Sequence, residues 1–238
     1  VFVPCALAAV LTACGVLKAP PALPTGSPSH SNVLVNGGFE AGADGWAPVL
    51  AEAAGPVDVV DGSGHGGRRS LALRLSGNGT AGTGRTIGAT QTVNTEAFPE
   101  MVSGFYRVDR WQPNAASQNV RFVVSVRGGD FGDGLGVHVV RFIVAGSDAA
   151  AALLPGVAQT YLSRAAPLRR WTYFGYPVKQ AFADRFGKAP TRWDAMEISV
   201  EAGYDGETGG GPGAAAEVSF DDVYAGPLAQ NPNHPADP

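Results

Sequence analysis

Along much of the chain, apolar and polar residues alternate one by one. "SLALRLS" (70–76) and "VRFVVSVRG" (120–128) show the pattern most cleanly. Period two sends successive side chains to opposite faces, so each segment predicts a half-buried β-strand. "RTIGATQTVN", "MVSGFYRVD", "GVHVVRFIVAG", "RRWTYFGYPV", "WDAMEISVEA" and "EVSFDDVYAG" read the same way, and "NVLVN" at 32–36 predicts a short strand. Clusters of Gly, Asn, Asp or Pro separate these runs. About ten strands at this spacing predict an all-β, antiparallel sandwich or jelly roll.

Helical periodicity is scarce. "VKQAFADRFG" (178–187) carries apolar residues at 178, 182 and 186, and Gly187 stands where a helix would stop. "SDAAAALLPG" (147–156) predicts another turn or two, opened by Ser147 or Asp148 and ended before Pro155. One or two short helices outside any βαβ rhythm make a parallel sheet unexpected.

The 33 glycines and 18 prolines among 238 residues fit a fold rich in turns. The length suits one domain of about 200 residues, or at most two small ones. A formal net charge of −4, with no long basic run, argues against a nucleic-acid partner.

Residues 1–17 are uncharged, and after Lys18 the chain runs into "APPALPTGSPSHS". An apolar run of that length, with Pro4 inside it, falls short of the about 20 residues a bilayer span needs. It reads instead as the apolar region of a signal peptide, truncated at its start because no initiator Met or basic segment precedes it. Leu11-Thr12-Ala13-Cys14 resembles a bacterial lipobox. That resemblance implies a signal peptide over 1–13, lipidation at Cys14, and a Pro/Ser-rich tether over 14–31. The folded domain is then expected over 32–228, with a disordered tail at 229–238. An ordinary signal peptide or a membrane anchor with an incidental cysteine is the alternative. Cys5 lies in the segment that would be removed, so the domain would hold neither a disulfide nor a reactive thiol. The lipid would anchor the protein to a membrane of the bacterial cell envelope, outward-facing or periplasmic.

"NVLVNGGFEAGADGW", "GHGGRRSLALRL" (64–75) and "VSFDDVYAG" occur in that order over residues 32–226. Together they resemble the galactose-binding-like jelly roll of many carbohydrate-binding modules. The resemblance implies that the first and last strands lie side by side. It also implies a structural calcium ion (Ca2+) held by the Glu40 and Asp221 carboxylates and by backbone carbonyls near Gly67 and Arg68. Calcium takes six to eight hard oxygens, and such a set supplies them. Strand alternation makes Asp222 the poorer ligand. The alternative is that these carboxylates pair with Arg68 or Arg69. Phe39 and Trp46 are expected in the core.

A sugar site needs aromatic faces for the C–H side of a pyranose and polar groups for its hydroxyls. Tyr106, Trp111, Trp171, Tyr173 and Tyr176 are the aromatic candidates. Arg107, Asp109 and Gln112 could supply hydrogen bonds. Period two puts Trp171 and Tyr173 on one face and Phe174 and Tyr176 on the other, leaving open which face is core. Each aromatic has core packing as its alternative, Trp193 above all.

Other motifs lead away from catalysis. "GTAGTGRT" (79–86) nearly spells a phosphate loop, but Arg85 replaces the lysine and the flanks are wrong. "GGDFGDGLG" (128–136) lacks the spacing and final Glu of an EF-hand and reads as a hairpin turn, with a surface calcium loop as the alternative. His30, His65, His138 and His234 stand apart from one another, and no G-x-S-x-G elbow is present. Asp109, Asp130, Asp133, Glu197, Glu201 and Asp205 could include a glycosidase pair, which sequence alone does not identify. The expected role is non-catalytic binding of polysaccharide or cell-wall glycan. The rivals are a structural or protein-interaction module in an envelope assembly, and a polysaccharide lyase or glycoside hydrolase.

Overall fold

The computed structural model describes residues 32–49, 57–77, 84–113, 117–146, 154–163, 165–204 and 214–233. The expected leader, Cys14 and the tether lie outside these residues. So do Asp205, most of "GTAGTGRT" and residues 147–153 of the second expected helix.

Eleven strands follow in chain order: β1 (Ala47–Pro48), β2 (Val57–Asp61), β3 (Arg69–Ser76), β4 (Arg85–Val93), β5 (Met101–Gln112), β6 (Asn119–Arg127), β7 (Val137–Gly146), β8 (Val157–Tyr161), β9 (Thr172–Tyr176), β10 (Ala195–Tyr204) and β11 (Ala215–Gly226). A helix, α1 (Val178–Phe186), links β9 to β10, and a 3-10 turn spans Leu228–Gln230. One sheet has the order β1-β4-β10-β6-β7-β8, the other β2-β3-β11-β5-β9. All pairings are antiparallel except β7 with β8, which is parallel against expectation.

The two sheets face each other through the residues that alternation selects. Leu71, Leu73 and Leu75 of β3, Val108 of β5, and Val218 and Phe220 of β11 are buried from one side. Ile198 and Val200 of β10, Phe122 and Val124 of β6, and Val140 and Phe142 of β7 are buried from the other. The Phe122 and Phe174 rings meet between the layers at 5.6 Å. α1 buries Val178, Ala181 and Phe182 and stops at Gly187, whose φ of 81° is the left-handed cap that favours glycine.

"NVLVN" is not a strand. The Asn32 side chain accepts from the Leu34 and Ala225 N–H groups and donates to the Val223 carbonyl, diverting the backbone from a ladder. The segment still lies against β11, because the Val33 N–H donates to Ala225 O at 2.8 Å and the Val223 N–H to Gly37 O at 2.9 Å. Gly37 is required here, since the Val223 carbonyl occupies the space a Cβ would take. The expected adjacency of the chain's two ends therefore holds, through an irregular segment.

The expected tail from 229 is ordered at its start. Asn231 is buried, and its Oδ1 accepts from the Ser103 hydroxyl at 2.7 Å. "GGDFGDGLG" is the hairpin joining β6 to β7, closed by the Gly128 N–H on Gly136 O at 3.0 Å.

Candidate functional site

Two features converge on the loop between β2 and β3. The first is a clamp. Glu40 arrives from a compact turn in which Asn36 accepts from the Ala41 N–H and donates to Gly42 O, and the Trp46 indole donates to Asn36 O. Phe39 and Trp46 anchor that turn in the core, their rings 5.3 Å apart. Glu40 Oε1 then accepts the Arg68 N–H at 2.7 Å and the Arg69 N–H at 2.9 Å. Gly67 leaves room for it, because the Glu40 carboxylate sits where a Cβ would be. From the opposite side, fully buried Asp221 accepts the His65 N–H at 2.6 Å on Oδ2 and the Asp222 N–H at 2.8 Å on Oδ1.

This loop turns its N–H groups, rather than its carbonyls, toward the acids. The Arg68 carbonyl accepts from the Gly62 N–H at 2.6 Å. The Gly67 carbonyl packs against Gly64. Among the described residues, no three His, Cys, Asp or Glu side chains gather as a metal cage. The Arg68 carbonyl expected as a calcium ligand is thus engaged within the loop, and the two acids are met by amide hydrogens. The Glu40 and Asp221 carboxylates do not pair with Arg68 or Arg69 side chains: Arg69 binds Asp61 at 2.7 Å through Nε and donates from Nη1 to the Glu40 backbone carbonyl at 2.9 Å.

The second feature is an aromatic strip on the outer face of the β2-β3-β11-β5-β9 sheet. A register shift between Asp221 and Tyr224, with Asp222 at φ 50°, breaks the alternation that would have sent Asp222 to the other face. Asp222 Oδ2 instead lies 2.9 Å from His65 Nδ1. The His65 ring stacks on Phe105 at 3.6 Å and meets the edge of Trp171 at 5.8 Å. Phe105 in turn touches Tyr173 at 5.7 Å. The Arg107 guanidinium lies 5.0 Å from the Trp171 ring centroid and is held by Asp109 at 2.9 Å. Phe105, Arg107, Asp109, Trp171 and Tyr173 are all half-buried, so each keeps an open surface.

Four of the eight expected sugar-site residues thus come together: Arg107, Asp109, Trp171 and Tyr173. Four do not. Tyr106 is core: its hydroxyl donates to Val144 O at 2.9 Å, and burial pushes its phenol up to about 12. Trp111 packs against the core beneath Gly146. Tyr176 turns inward to Phe142 at 4.9 Å. Gln112 lies at the far end of β5, accepting from Arg110 at 3.1 Å. Phe105 and His65 complete the strip and were missed. Phe105 stands two residues before Arg107, on the same face by period two, which was the available signal. Nothing local marks His65.

Of the acids expected to include a glycosidase pair, the five among the described residues are engaged. Asp109 holds Arg107, Asp130 holds Lys188 and Thr191, and Asp133 holds His138. Glu197 faces Arg127, and Glu201 binds Arg121 and Ser199.

Burial, followed by the Asp222 charge, pushes the Asp221 carboxyl up from 3.8 to about 6, against the amides that lower it. The folded state therefore binds this proton more tightly than the unfolded chain. Stability from this group is full below about pH 4, declines as pH rises to about 6, and is level above that. The loss is roughly 2–3 kcal/mol. Denaturant melts from pH 4 to 7 should show that decline in the wild type relative to Asp221→Asn. A wild-type-minus-variant difference constant with pH would contradict it.

No family model and no curated protein matches the chain. Among solved structures, the fold is similar to a family 61 carbohydrate-binding module in complex with β-1,4-galactotriose. That match has 15% identity, covers 82% of this chain and 97% of that one, and has a TM-score of 0.43. A family 22 xylan-binding domain from Paenibacillus barcinonensis is similar at 14% identity, covering 84% and 96%, with a TM-score of 0.41. A family 11 carbohydrate-binding module from Clostridium thermocellum, in complex with a β-1,3-1,4-mixed-linked tetrasaccharide, is similar at 13% identity, covering 80% and 92%, with a TM-score of 0.40. Identity this low leaves the ligand to be argued from the side chains.

Proposed function

We propose that the chain binds glycan without cleaving it, on the strip formed by Phe105, Trp171 and Tyr173. The observation that carries this reading is the continuity of the strip. Half-exposed rings lie beside Arg107, Asp109, His65 and Asp222, each fixed by a partner before any ligand arrives. Ring faces suit the C–H side of a pyranose, and pre-set polar groups suit its hydroxyls at little ordering cost. The charges are paired within the strip, which favours an uncharged sugar. The engagement of Asp109, Asp130, Asp133, Glu197 and Glu201 supports a non-catalytic role on this strip.

Affinity electrophoresis in β-1,4-galactan, xylan and mixed-linkage β-glucan tests this. Retention by at least one is expected, and Trp171→Ala should weaken it about tenfold. Trp111→Ala should lower stability and leave the retained fraction of folded protein unchanged. Absence of retention by any of the three would remove the reading.

For the clamp, we infer that the amide hydrogens of loop 62–69 compensate Glu40 and Asp221 in place of calcium. Chelator should then move the melting temperature by less than about 1 °C, while Glu40→Ala lowers it by about 2–5 °C. A fall of several degrees on chelation, reversed by added calcium, would restore the cation.

Anchoring to the envelope is proposed on the lipobox-like stretch Leu11–Cys14. Expression in a bacterial host fed labelled palmitate should mark the wild type and not Cys14→Ser. Equal labelling of the two would refute it.

A further inference from the structure

A cavity lies away from the aromatic strip, at the end of the sandwich where β5 begins and β11 ends. Its volume is about 440 Å³, within the range of small-ligand sites. It lies between the β4–β5 connection, the start of α1, the segment before β10, and Gly226-Pro227. Its apolar walls are set by packing. Phe98 is buried and meets the edges of Phe182 at 5.1 Å and Trp193 at 5.7 Å. Trp193 is half-buried and lines the cavity.

The polar groups around it are available. Glu96, Glu100 and Lys179 line the cavity and are exposed. Glu100 is steadied by the Leu228 N–H on its Oε2 at 3.1 Å. Among the described residues, the Lys179 ammonium, the Glu96 carboxylate and the Trp193 indole N–H have no hydrogen-bond partner. The cavity thus offers an aromatic wall, two acceptor carboxylates and two donors. It carries one more negative charge than positive. That set suits a ring bearing several hydroxyls and no charge, and it repels carboxylated sugars.

We propose that this cavity is a second glycan subsite, taking a single neutral pyranose at the end of a chain. The inference rests on the glycan-binding reading and extends it. The strip lies along the sheet and suits a run of sugars; the cavity is compact and suits a terminus. From Met101 to Phe105 and Arg107 is four to six residues of strand, about 13–20 Å, so the two sites are separate.

The test uses chain labelled with 15N at its four tryptophans, which gives one indole signal for each. The probes are β-1,4-galactotriose, xylotriose and a β-1,3-1,4-mixed-linked glucotetraose, with galacturonotriose as the anionic control. The Trp193 signal should move with at least one neutral probe, in the wild type and equally in Trp171→Ala. Galacturonotriose should bind at Trp193 about three- to fivefold more weakly than galactotriose, and Glu96→Gln with Glu100→Gln should narrow that gap. These variants keep the aromatic wall, so they separate recognition from folding. A Trp193 signal unmoved by all three neutral probes overturns the subsite. If Trp171 still responds, the strip reading survives alone; if neither responds, both fall. Preferential binding of galacturonotriose at Trp193 would also overturn it.

Discussion

Two carboxylates held by the backbone hydrogens of one loop are the constraint on which this sandwich depends. β11 runs through the middle of its sheet, between β3 and β5. Its middle carries Asp221, with no solvent exposure, beside a second acid. A buried carboxylate without donors would cost far more than any single contact nearby could return. The loop from Gly62 to Arg69 offsets part of that cost by turning its N–H groups inward. The same turn lets Glu40 fasten the beginning of the domain to it. One short segment therefore satisfies acids from both ends of the fold.

The proposed binding strip inherits its rigidity from this arrangement. His65 belongs to both: its backbone N–H serves Asp221, while its ring stacks on Phe105. Trp171 is then positioned between that ring and a guanidinium that Asp109 holds in place. Cohesion and recognition are linked through one residue, so a change in the loop acts on the strip as well as on stability.

Most strands were legible because alternation is a local signal that survives wherever one face is buried. Helix α1 was legible for a similar reason, with Gly187 marking its end. What was not legible depends on irregularities that no short window reveals. β8 is a brief edge strand paired in parallel, and β1 and β2 are edge segments too short for a periodic signature. A plain strand would place Tyr106 and Trp111 on opposite faces. The shift opposite Glu217 and Val218 lets both turn toward the core. The second shift, at Asp221, brings Asp222 to His65. The candidate site was half legible: alternation paired Trp171 with Tyr173 but left open which face of β9 was core, and the bulges decided which β5 and β11 side chains reached the strip.

The backbone bonds between Val33 and Ala225 put both ends of the folded domain at one pole. A pull on the segment before residue 32, resisted by ligand on the sheet face, would pass through the Asn32 side chain and those few bonds before it reached the core. Under traction this seam, rather than the hydrophobic interior, sets the first point of mechanical failure. A domain so joined can also be inserted into a host loop without having its ends drawn apart.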